Sequence, residues 1–344
     1  MTDEALVWKY GWNAASAQAL NPTLSRWRDG NGLVAYAEGR RWPGGPRVRI
    51  AVGDPLSAPQ RHIDIAHAFA AHAVRSGADV AWFGACETFR NKWEGDALVV
   101  GAQPIWDPGR WTQILARKAS LRAQVNRARN KGVTVETIGL SGTGELDSVR
   151  RAWLSKRGLP PLHFMAETSV LQRPGLRSFL AARLAKQVVG YLTLLPIPAR
   201  RGVFVEWIIQ HPDAPNGTAA LLLDAAFRQS TEADMVTLGM VPLSSFAPLS
   251  RTPPSRYVRA LLAWMRAHAR RFYNFEGLER FKAKFQPDAW EPLYLLAPQR
   301  IGLGLLHAVA DVFAGPRTPE ELIARALADA AREEIGTARS RLLD

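Results

Sequence analysis

The sequence predicts a mixed α/β fold built as two successive units followed by a helical tail. Three observations predict it. At 344 residues the chain exceeds what one small core organises, so a division into two domains is the natural one. Hydrophobic residues make up 47% and charged residues 22%, which fits packed globular domains and excludes a disordered chain. Short runs of strand character alternate with helical periodicity, and the whole pattern restarts after Gly132.

The first unit spans 1 to 109. Leu33 to Tyr36 and Arg47 to Val52 read as strands around the turn-forming Trp42-Pro43-Gly44-Gly45-Pro46. After Gly53-Asp54-Pro55 breaks the chain, Ile63, Ala66, Ala70 and Ala73 recur at helical spacing within 60 to 76. Val80 to Phe83 and Ala97 to Val100 have the character of short buried strands. Residues 110 to 131 read as one long helix closed by Gly132, forming a link over 110 to 132. Trp111, Ile114, Leu121, Val125 and Ala128 make its apolar stripe. The helix carries seven basic residues and no acidic one. Arg117, Arg127 and Lys131 fall opposite the stripe, as on a solvated face. Arg122, Asn126 and Arg129 lie beside it, where a polar network or a phosphate groove would place them.

The second unit spans 133 to 297. A strand from Val133 to Ile138 precedes helices over 145 to 156 and 175 to 185. Val188 to Leu195 and Gly202 to Ile209 read as neighbouring strands joined through Pro196 to Arg201. A helix over 218 to 229 and a strand over 235 to 238 follow. Strand, strand, turn, helix, strand is the order of acetyltransferase-like (GNAT) domains, an order shared by many α/β folds. In the tail, 298 to 344, Ile301 to Phe313 reads as an apolar helix packed on the second unit, and a lipid headgroup layer is the alternative seat. Thr318-Pro319-Glu320-Glu321 supplies an N-cap, a first-turn proline and a capping-box glutamate for a last helix.

Lys and Arg number 44 against 31 Asp and Glu, a net charge of +13. That balance points to phosphate-rich nucleic acid or an anionic membrane surface, unless an arginine-rich genome alone explains it. Cys86 is the only cysteine, so an intrachain disulfide is excluded, in keeping with a reducing cytoplasm. MTDEALVWKYGW has neither the basic nor the apolar region of a secretory signal, and no run is long and apolar enough to span a bilayer. The expectation is a cytoplasmic protein that visits the inner face of the plasma membrane at most.

Few motifs carry chemistry. His62, His67 and His72 are spaced by five and do not align for a metal. No G-x-S-x-G nucleophile elbow or phosphate-binding P-loop occurs, so no metal or cofactor is called for. In 212 to 227, two prolines and Asn216-Gly217 deliver Thr218 to a helix start whose free N–H groups favour an anion. An acyl-CoA enzyme would carry Gln or Arg where Ala214 stands; a plain strand-to-helix turn is the other reading. Glu206 lies in the apolar strand Phe204-Val205-Glu206-Trp207-Ile208-Ile209, where a carboxylate is costly to bury unless paired or used. RFYNFEGLERFKAKF, 271 to 285, sets Arg280, Lys282 and Lys284 among Phe275, Phe281 and Phe285.

These residues resemble the C-terminal, aminoacyltransferase region of the phosphatidylglycerol lysyltransferase (lysyl-phosphatidylglycerol synthase) family. The resemblance rests on FYNFEGLERFKAKFQPDAWEPLYLL (272 to 296), HPDAPNGTAALLLDAAF (211 to 227) and VTLGMVPLSSF (236 to 246). VGDPLS (52 to 57), LRAQVNRARNKG (121 to 132) and WLSKRGLPPLHF (153 to 164) support it. It implies two tandem GNAT-like domains joined by a long helix, with a tunnel across the second. It also implies transfer of an amino acid from aminoacyl-tRNA to a lipid hydroxyl, typically that of phosphatidylglycerol.

On that resemblance Glu206 is the base or orienting carboxylate, and Lys282 or Lys284 holds a phosphate or the aminoacyl ester. Helical spacing sets Lys282 inward with Phe275, Leu278 and Phe285, and Lys284 nearer Phe281 and Gly277. Asn216, Gly217, Thr218, Tyr273, Asn274, Phe275, Glu276 and Arg280 are the candidate substrate contacts. Arg117, Arg122, Arg127, Arg129 and Lys131, with the cations of 251 to 271, are the candidate tRNA surface, acting through phosphates. The arginine that the family commonly carries shortly after the acidic residue is replaced here by Ile209 and Gln210. Two other readings stand beside this one: an acyl-CoA-dependent N-acyltransferase, and a non-catalytic binder of RNA or anionic membrane.

Overall fold

A computed structural model of the chain describes residues 1–30, 32–139, 142–156, 162–167, 175–248, 254–268 and 274–325. In the first half, α1 (Asp3–Tyr10) precedes strands β1 (Ser25–Asp29), β2 (Gly32–Arg40) and β3 (Arg47–Val52). Helix α2 (His62–Arg75), β4 (Ala78–Ala85), the single turn α3 (Glu87–Arg90) and β5 (Asp96–Trp106) complete it. Helices α4 (Trp111–Arg117) and α5 (Ala119–Asn130) lead to β6 (Val133–Ile138), α6 (Thr143–Ser155), β7 (Ser178–Leu184), β8 (Gln187–Ile197) and β9 (Gly202–Gln210). Then come α7 (Thr218–Gln229), β10 (Met235–Thr237), β11 (Val241–Pro242), α8 (Arg256–His268), α9 (Phe275–Ala283), β12 (Ala289–Ala297) and α10 (Leu303–Ala314).

Among the described residues, all twelve strands join one mixed sheet in the order β1-β2-β3-β4-β12-β5-β10-β9-β8-β7-β6, with β11 beside β5. Each half starts as an antiparallel meander and ends in a parallel crossover, β3–α2–β4 in one and β9–α7–β10 in the other. That is the acetyltransferase-like order anticipated from the sequence. The halves then exchange strands: β5 pairs with β10, while β12 pairs with β4, and β5 and β12 meet antiparallel at the centre. One core face runs across both halves, joining Leu33, Ile50, Leu195, Phe204 and Leu295. On the opposite face α2 covers the first half and α7 the second. Because α5 packs over α7 in turn, α7 is buried almost all round, as its run of Leu and Ala allows.

Two expectations are corrected and a third is widened. Residues 175 to 185 contain the strand β7, not a helix. Phe179 and Ala181 enter one core and Leu180 and Ala182 another, so burial on both faces erases the alternation that marks a strand. The segment read as one helix over 110 to 131 is divided at Lys118, which leaves helical geometry (φ −97°, ψ 84°). The break lets Trp111 stack on Phe227 (centroids 4.3 Å apart, 12°) while Leu121, Val125 and Ala128 still face α7. The tail helix α10 packs on β2 and β3 of the first half as well as on the second unit, where the Phe313 ring meets that of Phe164 (5.2 Å). Gly39 admits it: a Cβ there would stand 2.4 Å from the Ala308 carbonyl. The capping box that follows forms as read, with Glu321 N–H donating to Thr318 Oγ1 (3.2 Å) and Thr318 N–H to Glu321 Oε2 (3.3 Å).

Candidate active site

The ladder between the parallel strands β9 and β10 ends at Phe204 and Thr237. Beyond it the strands part, the position at which open α/β sheets commonly hold ligands. Glu206 stands there. It is the extra residue of a bulge, since Thr193 pairs with Trp207 and Leu194 with Val205. A bulge re-aims a side chain that strict alternation would fix. The Trp207 N–H freed by the irregularity donates to Thr193 Oγ1 (3.1 Å).

The Glu206 carboxylate is only 3% exposed and fully engaged. Arg177 forks onto it through Nε (2.7 Å) and Nη2 (2.8 Å), Gln18 Nε2 donates at 2.5 Å, and Thr193 Oγ1 at 3.2 Å. Four donors fill its oxygens, so this group is placed to orient the side chains around it. Arg177, itself 8% exposed, makes no hydrogen bond through Nη1 among the described residues. A buried guanidinium with a donor to spare suits an anion or a developing oxyanion. Sequence reasoning missed Arg177 because the segment that contains it and the strand after it was read as a helix. The signal was available in the carboxylate, which demanded a partner from somewhere.

Gln18 reaches Glu206 from the first half. It lies in the turn Ser16–Leu20, at the end of a segment that crosses between the halves. Ala199 N–H donates to the Gly11 carbonyl (3.0 Å), Arg200 lies over the Trp12 ring (5.7 Å), and Asn13 Nδ2 donates to Cys86 Sγ (3.3 Å). Arg200 also forks onto Glu291 of β12 (2.8 and 2.7 Å), which takes a further bond from Gln103 of β5 (3.0 Å). Burial pushes the Glu291 carboxyl up, and Arg200 outweighs it, leaving it below its ordinary value. Burial lifts Asp54 to about 6 and Cys86 well above the usual thiol range.

Lys282 does point inward, 6% exposed, but toward the backbone. Its Nζ donates to the carbonyls of Leu238 (2.6 Å), Gly239 (2.9 Å) and Met240 (3.1 Å), the loop that leaves β10. Burial pushes this lysine down to about 7, and three carbonyl acceptors work against that by favouring the ammonium. Glu279, one turn earlier and absent from the sequence reading, accepts from Ser245 N–H (2.6 Å) and Oγ (2.7 Å) and from Arg266 Nη2 (3.3 Å). Burial would raise its carboxyl; the serine bonds and Arg266 prevail and hold it low. Gly239 presses the clamped loop against Phe204, where an added Cβ would stand 2.7 Å from the ring. The clamp thus abuts the strand that carries Glu206.

Lys284 is half-buried over the Phe281 and Phe285 rings (4.7 and 4.8 Å) and donates to Gln124 Oε1 (3.0 Å). Burial lowers its pKa. Asn274 is the N-cap of α9, its Oδ1 accepting from Gly277 N–H (2.8 Å). Glu276 pairs loosely with the exposed Arg280 (3.6 Å). Phe275 opens the helix half-buried, and Tyr273 lies outside the described residues. At the start of α7 two of the first-turn donors are already taken. Thr218 N–H meets the Pro215 carbonyl (3.1 Å) and Ala219 N–H meets Gln210 Oε1 (3.1 Å). Gly217 sits at φ 102° against α5, where a Cβ would come within 2.1 Å of the Gln124 carbonyl, while Asn216 is exposed.

The five cations of the link divide in two. Arg129 pairs with the buried Asp224 (2.5 Å), which also accepts from Trp111 Nε1 (2.9 Å) and Arg228 (3.0 Å). Arg122 donates to the Leu115 carbonyl (3.0 Å) and to that of Ala116, closing the break at Lys118. Arg117, Arg127 and Lys131 are exposed and form no ion pair among the described residues.

The family model described as "Phosphatidylglycerol lysyltransferase, C-terminal" matches residues 9–297. A phosphatidylglycerol lysyltransferase of Staphylococcus xylosus is 22% identical over 260 residues, and one of Staphylococcus aureus (strain MRSA252) is 23% identical over 261. Each alignment takes 72% of this chain and 30% of the relative, so the chain spans under a third of the length of those relatives. Among solved structures, the C-terminal domain of a putative lysylphosphatidylglycerol synthetase from Agrobacterium fabrum superposes with a TM-score of 0.73 at 21% identity, covering 91% of this chain and 95% of that one. L-PGS from Bacillus licheniformis superposes with a TM-score of 0.74 at 20% identity, covering 92% and 96%. These two share the fold.

Proposed function

The chain belongs to the phosphatidylglycerol lysyltransferase C-terminal family, and from that premise we propose that it is a tRNA-dependent aminoacyltransferase with a lipid acceptor such as phosphatidylglycerol. The family match over 9–297 is the observation that carries this reading. The acceptor hydroxyl attacks the ester carbonyl of the aminoacyl-tRNA. The new ester forms as the bond to the tRNA ribose breaks, and the hydroxyl proton ends on the ribose oxygen. The ester is already activated, so catalysis asks for orientation and charge stabilisation more than for a covalent nucleophile. Arg177 meets the developing oxyanion, and Glu206 fixes its orientation. Lys282 and Glu279 shape the loop beside β9, and Lys284 offers a cation beside Gln124 of α5. Arg117, Arg127 and Lys131 meet tRNA phosphates. The reaction takes place on the cytoplasmic face of the membrane.

Ala219 N–H is held by Gln210 and Thr218 N–H by Pro215, which counts against a CoA pyrophosphate at the start of α7. The test is a partition assay in which labelled aminoacyl-tRNA pools meet phosphatidylglycerol vesicles and label entering the organic phase is counted. Label that disappears on RNase pretreatment is the expected result, and it names the amino acid. No label from any pool into any anionic lipid overturns the lipid-acceptor reading.

A further inference from the structure

Helix α8 is apolar on two sides. Val258 is fully buried in the core cluster that also holds Phe204, two residues before Glu206, and Leu262 packs against that cluster. Arg266 ties the helix to the clamped loop through the Leu243 carbonyl and Glu279. A globular helix needs one such stripe. The second runs through Tyr257, Leu261 and Trp264, spaced i, i+4, i+7, and leaves Tyr257 59% and Trp264 53% exposed. Arg256 and Arg259 flank it, both exposed, and Arg256 hydrogen-bonds the Tyr257 hydroxyl (2.6 Å).

Along this stretch of the sequence the charge has one sign. From Met235 to Phe275 the sequence contains six arginines and no acidic residue. Phe246, 49% exposed, stacks on Trp290 (4.6 Å) and adds aromatic surface to the loop that α8 holds. Aromatic rings beside arginines on the outer side of a helix match the boundary between headgroups and acyl chains, where amphipathic rings and cations are both favoured. The outer side of α5 offers the contrast: it is basic, and it exposes no large hydrophobic side chain.

We propose that α8 is the element by which this protein seats itself on an anionic lipid surface, Tyr257, Leu261 and Trp264 entering the interface while Arg256 and Arg259 meet lipid phosphates. This inference rests on the lipid-acceptor reading and adds to it the place where the lipid is met. It separates two surfaces that charge alone does not distinguish: α8 takes the membrane, and the exposed cations of α4 and α5 take the tRNA.

The experiment compares the full chain with a triple variant, Tyr257→Ser, Leu261→Ser and Trp264→Ser. Partition onto sedimenting phosphatidylglycerol vesicles and onto phosphatidylcholine vesicles is measured together with tRNA affinity and Tm. The parent is expected to bind the anionic vesicles alone. The triple variant should lose at least about tenfold in vesicle partition while keeping its tRNA affinity. An Arg256→Gln, Arg259→Gln variant reads the phosphate contribution separately and keeps the test open if the triple variant lowers Tm. Vesicle binding unchanged in both variants overturns the proposal. So does a loss of tRNA affinity with vesicle binding intact, which would assign the helix to RNA. If vesicle binding depends on α8 and no aminoacyl transfer is found, the seat stands and the transferase reading falls.

Discussion

Glu279 and Lys282 stand one turn apart on the inner side of α9 and grip groups of opposite polarity on the two sides of β11. The lysine takes the carbonyls of Leu238, Gly239 and Met240, and the glutamate takes the N–H and hydroxyl of Ser245. The loop between β10 and β11 and the turn after β11 leave backbone groups without ladder partners, and the lysine serves the first and the glutamate the second. Lys282→Met is expected to lower stability by about 3 kcal/mol, roughly one for each orphaned carbonyl. Chemical denaturation reads it, and an unchanged midpoint would refute the clamp.

The same lysine gives stability a pH signature. Unfolded, it keeps its proton to about pH 10.4; folded, burial brings the value to about 7. Between these values the unfolded chain binds more protons, so unfolding free energy rises with pH, and below pH 7 the contribution is flat. Measured from pH 6 to 10, the parent should gain stability relative to Lys282→Met as pH rises. A parallel pair of curves would show that the lysine stays charged throughout, held by its three carbonyls.

The Glu206–Arg177 pair separates stability from activity. Removing either partner alone strands a buried charge and should cost about 3–5 kcal/mol. Replacing both with leucine should recover much of that stability, as buried ion pairs often allow, while transfer stays abolished. A double-leucine protein that still transfers would remove the pair from the chemistry.

Replacing the exposed cations Arg117, Arg127 and Lys131 with glutamine should weaken tRNA binding and flatten its salt dependence by about one unit of slope per lost phosphate contact. Arg129→Gln should act differently, lowering Tm through Asp224 with little change in salt slope. Filter binding across a salt series distinguishes the two.

Gly217→Ala probes the turn into α7. Its φ of 102° and the nearby Gln124 carbonyl leave no room for a side chain, so about 2 kcal/mol or more of stability should be lost.

Much of the fold is legible in the sequence, because β3, β6 and α7 carry their limits in local turn chemistry and agree with the structure residue for residue. What escaped has a common cause. β7 is buried on both sides, and its alanines conceal the period. The break at Lys118 is imposed by Trp111 seeking Phe227, a contact remote in sequence. Within the site, Glu206 was visible as a misplaced carboxylate and Lys282 as an inward lysine. Their partners were not, because Arg177, Gln18 and the Leu238–Met240 carbonyls come from elements that only the tertiary fold brings near.

The exchanged strands bear on how the chain is made. Every sheet partner of β5 lies between Met235 and Ala297. The nascent chain therefore displays β5 long before β12 emerges, roughly 180 residues and about 10 to 40 s later at ordinary synthesis rates. During that interval β4 and β5 present open edges, a hazard for aggregation and a call for a holding chaperone. A fragment ending at residue 132 should be recovered insoluble. Co-expressed with 133–344, it should return to solution as a complex, each piece completing the other's sheet.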